Sequence, residues 1–226
     1  MTALKLAVWD VDGTLVDSRA SIAKVLQEAA VTVGVTPPTY DQVRQIVGLS
    51  LKEAIEQMCP DLAPDQAAIY AAEYKQTFVR HHAKPDFHES LYAGADACLR
   101  RLKVEGWLLG MATGKSRRGI DRNTAVYGWE GLFDTSFCAD DGPSKPHPHM
   151  LQRNMDVLGV APRQTVMIGD TVHDIRMGKA AGTHTIAVSW GFHTVEELQS
   201  VTPGCIVHDF DELNAALDAF VPQVAA

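Results

Sequence analysis

The sequence has few cysteines, little positive charge and no long apolar run. Only four of its 226 residues are cysteine, and no two of them form a Cys-x-x-Cys pair. This spacing argues against a disulfide framework or a structural zinc site and fits a reducing compartment, so we expect a cytoplasmic protein. No stretch approaches the roughly 20 apolar residues of a membrane span, and we find no signal-peptide pattern.

Positive charge is scarce, because 20 Lys and Arg stand against 28 Asp and Glu, for a formal net charge of −8. This balance argues against nucleic acid or an anionic membrane as the main partner. An acidic protein that handles an anionic substrate needs local cations, which Mg²⁺ and a few basic side chains could supply. The chain is long enough for one large domain, or for a core with a smaller inserted domain.

Two aspartates stand at the end of the first apolar segment. Residues 4–9 are typical of a buried strand, and Asp10-Val11-Asp12-Gly13-Thr14 follows directly. A strand end can aim both carboxylates at one point, and glycine permits a sharp turn after them. Paired carboxylates suit Mg²⁺, and a carboxylate can also act as a nucleophile that forms an aspartyl-phosphate. The alternative is an ordinary turn, because Asp, Gly and Thr are common turn residues.

The hydrophobic pattern changes twice along the chain. Residues 17–88 show helical periodicity without a strand, whereas short apolar strands alternate with helices from residue 89 onward. Such alternation predicts a parallel sheet with helices on both faces. We therefore predict an α/β fold, with a Rossmann-like core formed by 1–16 and 89–226 and an all-helical cap inserted at 17–88.

Polar residues follow four predicted strands of this core. Ligands of open α/β sheets bind outside the carboxyl ends of the strands, so we expect these side chains to converge. Each segment alone has an ordinary explanation as a turn, a solvated loop lysine or a helix N-cap. Their joint placement at successive strand ends is the strong signal. In chain order the set is Asp10, Asp12, Thr113, Gly114, Lys145, Asp170 and Asp174.

This set resembles the four motifs of the haloacid dehalogenase superfamily of aspartate-nucleophile phosphatases. The resemblance covers nearly the whole chain, because the helical insertion falls where the family has an alpha-helical cap. Asp17-Ser18 and the motif spacing resemble the phosphoglycolate phosphatase branch. The four motifs correspond to Asp10-Val11-Asp12-Gly13-Thr14, Thr113, Lys145-Pro146, and Gly169-Asp170 through Asp174.

The resemblance implies a Mg²⁺-dependent phosphatase that acts on a small phosphorylated metabolite. Asp10 would attack phosphorus, and Asp12 would act first as general acid and then as general base. Thr113 and the Gly114 amide would hold phosphoryl oxygens, and Lys145 would offset negative charge. The implied metal ligands are Asp10, Asp12 through its backbone carbonyl, Asp170 and Asp174.

One position departs from the family pattern, since many relatives have Asn where this chain has Gly114. Lys115 could compensate for the missing side chain. Nothing at the strand ends contacts the leaving group, so we expect the cap to select it, with phosphoglycolate as the family-level substrate. The candidate cap contacts are Arg44, Leu49 and Arg80.

Other functions stay open at this point, as does the choice between monomer and homodimer. A pyrophosphatase of the same superfamily is one alternative, and a sugar-phosphate mutase is another, although Gly48-Leu49-Ser50-Leu51 lacks the arginine of the mutase cap loop. Residues 110–116 approach a P-loop but have one residue too few between the glycines, which disfavours a nucleotide binder. A catalytically silent binding module is the remaining alternative.

Overall fold

A computed structural model describes residues 4–84 and 87–222. The short apolar segments of the sequence form strands in it, and one pair of two-residue strands adds to them. In chain order the strands are β1 (Leu6–Trp9), β2 (Val16–Asp17), β3 (Ser90–Leu91), β4 (Leu108–Thr113), β5 (Thr135–Cys138), β6 (Thr165–Gly169), β7 (His184–Val188) and β8 (Cys205–Val207).

Helices form where the sequence shows helical periodicity, and side-chain caps define several of their starts. Thr39 and Gln42 form the predicted capping box, in which each side chain binds the backbone of the other residue. Within the described ranges, no helix combines the length and the apolarity that crossing a membrane would require. The helices are α1 (Arg19–Thr32), α2 (Tyr40–Ile46), α3 (Leu51–Met58), α4 (Pro64–His82), α5 (Ala95–Val104), α6 (Arg117–Tyr127), α7 (His149–Leu158), α8 (Val172–Ala180), α9 (Val195–Ser200) and α10 (Phe210–Asp218).

Six strands form one parallel sheet in the order β5-β4-β1-β6-β7-β8. The central strand β1 pairs with β4 on one side and with β6 on the other, so that Trp9 is level with Met111 and Ile168. The chain thus builds the sheet outward in one direction, returns to the centre and continues in the other. The predicted α/β fold is confirmed, and the carboxyl ends of β1, β4 and β6 lie side by side.

Both faces of the sheet are buried, which explains why its strands are nearly continuous apolar runs. Alternate side chains of β1 enter different clusters. Ala7 and Trp9 pack with residues of α5 and α10, whereas Leu6 and Val8 pack with residues of α7 and α8 on the opposite face. The sheet is therefore the rigid support from which the strand-end loops project.

Helices α1 to α4 follow β1 as a helical insertion with a hydrophobic cluster of its own. Leu26, Val43, Ile55 and Tyr70 are buried in this cluster, and Tyr70 Oη donates a hydrogen bond to the Leu26 carbonyl at 2.8 Å. The predicted helical insertion is confirmed. Its boundaries as a cap domain, 17–88, stay a prediction.

The two connections between the insertion and the sheet pair with each other, which the sequence pattern does not predict. Val16 of β2 is level with Leu91 of β3, and Asp17 with Ser90, in an antiparallel ribbon. Strands of two residues are too short to show a period, so no hydrophobic pattern identifies them.

Burial along α5 yields a test of the packing. Leu99 is completely buried, and we expect Leu99→Ala to lower the free energy of unfolding by about 2–5 kcal/mol, because it removes apolar contacts and leaves a cavity. Val104 lies on the same helix and is 89% exposed, so Val104→Ala should change stability by less than about 0.5 kcal/mol. Urea denaturation measures both values, and equal losses would contradict the packing.

Candidate active site

Lys145 lies at the centre of the site, between two aspartates from distant parts of the chain. Its Nζ is 2.7 Å from Asp10 Oδ1 and 2.7 Å from Asp174 Oδ1, and all three residues are at most 1% exposed. Asp10 follows β1, whereas Asp174 lies in the first turn of α8. The structure thus brings these three predicted residues into direct contact.

Asp170 adds a third carboxylate, which two donors hold in place. Thr14 Oγ1 donates to Asp170 Oδ1 at 2.7 Å, and the Phe192 N–H donates to Asp170 Oδ2 at 2.8 Å. Gly13 has a φ of +80°, and a Cβ there would lie 2.2 Å from Asp170 Oδ2. A Cβ on Gly191 would come equally close to the same oxygen. A side chain at either glycine would therefore displace this carboxylate.

The crowding of these groups changes their ionisation. Burial raises the pKa of the Asp10 carboxyl and Asp174 raises it further, while the Lys145 ammonium lowers it. Burial also raises the pKa of Asp170 well above its ordinary value, and the charges of Asp10 and Asp174 add to this effect. Burial acts to lower the pKa of Lys145, but the two neighbouring carboxylates outweigh it and raise that pKa. One ammonium does not neutralise three buried carboxylates, so a further cation would favour their ionised forms.

The three carboxylates fit a divalent cation. One oxygen from each of Asp10, Asp170 and Asp174 lies within 4.8 Å of the others. Asp10 Oδ2 is buried and has no hydrogen-bond partner within residues 4–84 and 87–222. Buried, unpartnered, anionic oxygen atoms are the donors that a hard cation prefers.

Asp12 lies beside this cluster and is paired with a different lysine. Lys115 Nζ is 2.7 Å from Asp12 Oδ1, and the two side chains are 8% and 11% exposed. The Asp12 side chain is not part of the three-carboxylate group. Its predicted contact to a metal ion runs through the backbone carbonyl and stays a prediction.

Thr113 and Gly114, at the end of β4, lie next to the cap. Thr113 is 1% exposed, and its Oγ1 accepts a hydrogen bond from the Lys115 N–H at 3.3 Å. A Cβ on Gly114 would lie 2.5 Å from the Leu49 carbonyl oxygen and 2.8 Å from that of Gly48. The glycine at the position of the family's Asn therefore leaves room for the loop between α2 and α3. Leu49, a predicted cap contact, lies at this junction.

Contacts on either side of this loop hold the cap against the core. The Ser50 N–H donates to Ser144 Oγ at 2.6 Å, just ahead of Lys145 in the chain. His173 Nε2 lies 3.1 Å from the Gln45 carbonyl oxygen. The carboxylates beneath are almost fully buried, so this is a closed form of the site. We expect these contacts to open when a substrate enters.

The two candidate arginines of the cap are engaged by acidic side chains. Arg44 Nη1 lies 2.6 Å from Glu197 Oε2, which belongs to α9 of the core. Arg80 Nη2 lies 2.6 Å from Glu73 Oε1, and the Arg80 side chain is 55% exposed. Arg44 thus joins cap and core in the closed form. Contacts from either arginine to a substrate stay a prediction.

The loop after β7 is a part of the site that the sequence analysis missed. It supplies Gly191 and Phe192 beside Asp170, and Trp190 Nε1 donates to the Thr14 carbonyl at 3.1 Å. Since β7 pairs with β6, applying the strand-end rule one strand further would have identified this loop. The Lys115–Asp12 pair has no such signal, because local sequence does not specify where a lysine side chain points.

Fold and site together define a class of protein. The carboxylates meet where the strand order reverses, between β1 and β6, which is the place where open α/β enzymes bind their ligands. Residues 7–188 match the family model of the haloacid dehalogenase-like hydrolases. The chain belongs to this family, as its motifs predict.

The relatives include proteins named as phosphatases and as a pyrophosphatase. A probable phosphatase, IndB, from Dickeya dadantii is 31% identical over 96% of this chain and 94% of its own. A phosphoglycolate phosphatase from Psychrobacter arcticus is 28% identical over 95% of this chain and 94% of its own length. A pyrophosphatase, PpaX, from Bacillus pumilus is 29% identical over 96% of this chain and 98% of its own length. The crystal structure of CbbY from Rhodobacter sphaeroides in complex with phosphate has a TM-score of 0.82 at 25% identity, covering 95% of this chain and 99% of CbbY.

The P-loop alternative does not fit the structure. Its first glycine would be Gly110, which lies inside β4 and pairs with Val8 of β1. A phosphate-binding loop has to follow the strand so that its N–H groups are free to face the phosphates. The segment that follows β4 is only the short turn at Gly114 before α6.

Gly13 provides a test of the carboxylate geometry. We expect Gly13→Ala to lower kcat for p-nitrophenyl phosphate by about 10²-fold, because it would displace the Asp170 carboxylate from the three-carboxylate group, and a misplacement of ~1 Å in a site has an effect of this size. Gly34 is the matched control: it has a φ of +74°, and nothing lies within 4 Å of an added Cβ. Gly34→Ala should lose stability through backbone strain alone. Equal kcat values in the two variants would refute the proposed role of Gly13.

Gly114 provides a test of cap closure. A methyl group in Gly114→Ala should push the cap loop away and break the hydrogen bond from the Ser50 N–H to Ser144. Loss of a buried hydrogen bond costs about 1–3 kcal/mol, so exchange of the Ser50 amide hydrogen should accelerate by about tenfold or more. Hydrogen–deuterium exchange measures this rate. Gly119→Ala is the control, since its nearest new contact would be an ordinary 3.4 Å from Lys115 Cβ, and unchanged exchange in Gly114→Ala would contradict the steric argument.

Proposed function

We propose that this protein is a Mg²⁺-dependent phosphatase that hydrolyses a small phosphorylated metabolite through an aspartyl-phosphate. The observation that carries the proposal is the buried cluster in which Lys145 contacts Asp10 and Asp174, with Asp170 beside them. Phosphoryl transfer depends mainly on positioning and on neutralising charge, and a cluster of this kind supplies both.

Asp10 is the proposed nucleophile. One of its carboxylate oxygens attacks phosphorus, a bond to phosphorus forms, and the bond from phosphorus to the leaving oxygen breaks. The Asp10 N–H donates to the Ile168 carbonyl at 2.9 Å, which ties the residue to the neighbouring strand β6. Lys145 offsets the charge of the carboxylate and of the incoming phosphoryl group, while Thr113 and the Gly114 amide hold phosphoryl oxygens.

Asp12 is the proposed acid and base. It gives a proton to the leaving oxygen in the first step and takes one from the water that hydrolyses the aspartyl-phosphate in the second. Its position two residues after the nucleophile supports this role, since β1 ends at Trp9 and both aspartates follow in the loop at its carboxyl end. General acid–base help of this kind contributes about 10²–10⁴-fold, so Asp12→Asn would slow turnover by that factor.

Mg²⁺ is the proposed cofactor. Asp10, Asp170, Asp174 and the backbone carbonyl of Asp12 would hold it. Such an ion supplies positive charge to the phosphoryl oxygens and to the crowded carboxylates. The unpartnered Asp10 Oδ2 and the raised pKa values of Asp10 and Asp170 support the assignment, because both show that the protein alone leaves the negative charge incompletely compensated.

A phosphoglycolate-like ester is the proposed substrate, and inorganic pyrophosphate is the second candidate. The relative from Psychrobacter arcticus supports the first and PpaX supports the second, at nearly equal identity to this chain. Both candidates are small, which suits a site that the cap loop at Leu49 closes. In both, the group that leaves carries a negative charge next to the bond that breaks.

Removal of the nucleophile and of the metal tests this proposal. We expect Asp10→Asn to abolish hydrolysis of p-nitrophenyl phosphate, because an amide is a poor nucleophile, and we expect EDTA to do the same to the unaltered protein. Added Mg²⁺ should restore the activity of the EDTA-treated protein and should not restore that of Asp10→Asn. An acid quench during turnover should trap a phosphorylated enzyme that Asp10→Asn does not form.

Asp61→Asn is the control for this experiment, because Asp61 is an exposed carboxylate in the loop between α3 and α4. It should retain turnover and EDTA sensitivity. Hydrolysis that survives EDTA would refute the metal assignment, and near-normal hydrolysis by Asp10→Asn would refute the covalent route. Absence of any hydrolysis by the unaltered protein with Mg²⁺ would favour a silent binding module.

A further inference from the structure

Lys115 forms a second buried ion pair beside the phosphoryl site, and the reaction proposed above does not use it. Its backbone is anchored, since the Ala139 N–H donates to its carbonyl at 3.1 Å. Its aliphatic stem lies along α6, where a Cβ on Gly119 would contact it at 3.4–3.7 Å. Only the ammonium, 2.7 Å from Asp12 Oδ1, is placed to change partners.

The ammonium also faces the cap. Lys115 Nζ lies 5.9 Å from the centre of the Phe78 ring on α4. Tyr74 and His82 lie one turn to either side of Phe78, with ring centroids 5.7 Å and 4.1 Å from it. Burial lowers the pKa of His82 to about 3, with nearby cations adding to the effect, so this ring is neutral. The cap thus presents an aromatic, uncharged wall to the Lys115 ammonium.

The ion pair conflicts with the proposed role of Asp12. Asp12 must reach the oxygen of the leaving group, but Lys115 occupies its Oδ1. A buried ammonium cannot simply release its carboxylate, because an unpaired buried charge is strongly unfavourable. Asp12 becomes available when another anion takes its place beside Lys115.

We propose that Lys115 binds a negatively charged group on the leaving group of the substrate, and that this exchange of partners frees Asp12. This inference rests on the proposed phosphatase function and narrows its substrate class. The substrate is a small phosphate compound with a carboxylate or second phosphate next to the scissile bond. A neutral leaving group leaves the Asp12–Lys115 pair intact and reacts more slowly.

The ion pairs of the other candidate cations support this assignment. Arg44 and Arg80 are held by Glu197 and Glu73 in the closed form. Lys145 is held between Asp10 and Asp174. Lys115 lies at the junction of Asp12 and the cap, beside the carboxylate that is proposed to protonate the leaving oxygen.

Buried Glu89 is the second acidic group that acts on this ammonium. Burial raises the pKa of Glu89, whereas the charge of Lys115 lowers it, and the side chain is hydrogen-bonded to Ser21 Oγ. Ser21 therefore gives Glu89 a partner of its own when Lys115 turns to the substrate. The exchange involves no covalent change: one ammonium–carboxylate pair is replaced by one ammonium–substrate pair.

Two phosphate esters of similar size test the effect of charge on the leaving group separately from the effect of its size. Phosphoglycolate carries a carboxylate where 2-hydroxyethyl phosphate carries an uncharged hydroxymethyl group. For the unaltered protein, we expect kcat/KM for phosphoglycolate to exceed that for 2-hydroxyethyl phosphate by about tenfold or more. Lys115→Met should lower the phosphoglycolate value by about 10–100-fold, the effect of losing a charge-assisted hydrogen bond, and should therefore abolish the preference. Lys115→Arg should restore most of the preference, because it keeps the charge.

A merely structural role for Lys115 would lower both values by the same factor, and this outcome would overturn the proposal. It is overturned equally if the unaltered protein shows no preference between the probes. Turnover of p-nitrophenyl phosphate separates the phosphatase function from the role of Lys115. If the unaltered protein does not hydrolyse this ester, the phosphatase function itself fails, whereas hydrolysis without a charge preference refutes only the role of Lys115.

Binding supplies a readout that does not depend on turnover or on the folding of Lys115→Met. In an Asp10→Asn background, the further change Asp12→Asn removes the competing carboxylate and leaves Lys115 free. Calorimetry should then show tighter binding of phosphoglycolate by about tenfold and no comparable gain for 2-hydroxyethyl phosphate. Equal gains for both probes would contradict the exchange of partners.

Discussion

The ammonium of Lys145 between Asp10 and Asp174 is the contact on which the rest of the site depends. Like charges at this spacing repel, and burial disfavours their ionised forms, so each carboxylate needs a cation or several donors. Asp170 obtains its donors from Thr14 and from a main-chain N–H of the loop after β7. Such close packing leaves no room for side chains nearby. The glycines at which a Cβ would lie within 2.3 Å of a carboxylate atom are Gly13, Gly169 and Gly191.

The hydrophobic pattern predicted most of the fold because the sheet strands are buried on both faces and end at polar or glycine residues. The strand β4 at Leu108–Thr113 is an example, and it ends at the predicted site residue Thr113. The strand-end rule also located the residues that the structure brings together around Lys145. It could not predict what long side chains contact, since Arg44 meets a glutamate 153 positions away and Lys115 meets Asp12. Pairings of this kind depend on the packed structure and have no local period.

The closed cap explains why a glycine stands at position 114. The carbonyl groups of Gly48 and Leu49 fill the space that a side chain would occupy, and the Ser50 N–H is bound just beyond them. At Gly114 the cap loop thus meets the core main chain against main chain, which leaves few side chains at this point to distinguish one leaving group from another. The proposed role of Lys115 would then make charge beside Asp12 the main basis for selection.

The ribbon formed by β2 and β3 has a consequence for how such a protein could arise. The chain leaves the sheet and returns to it through adjacent, hydrogen-bonded segments, Val16–Asp17 and Ser90–Leu91. Antiparallel strands in this arrangement can be joined by a two-residue turn. The whole helical insertion could therefore be excised and replaced by a hairpin without displacing β1 or Asp10. An ancestral core could equally have acquired the helical insertion at this hairpin in a single event.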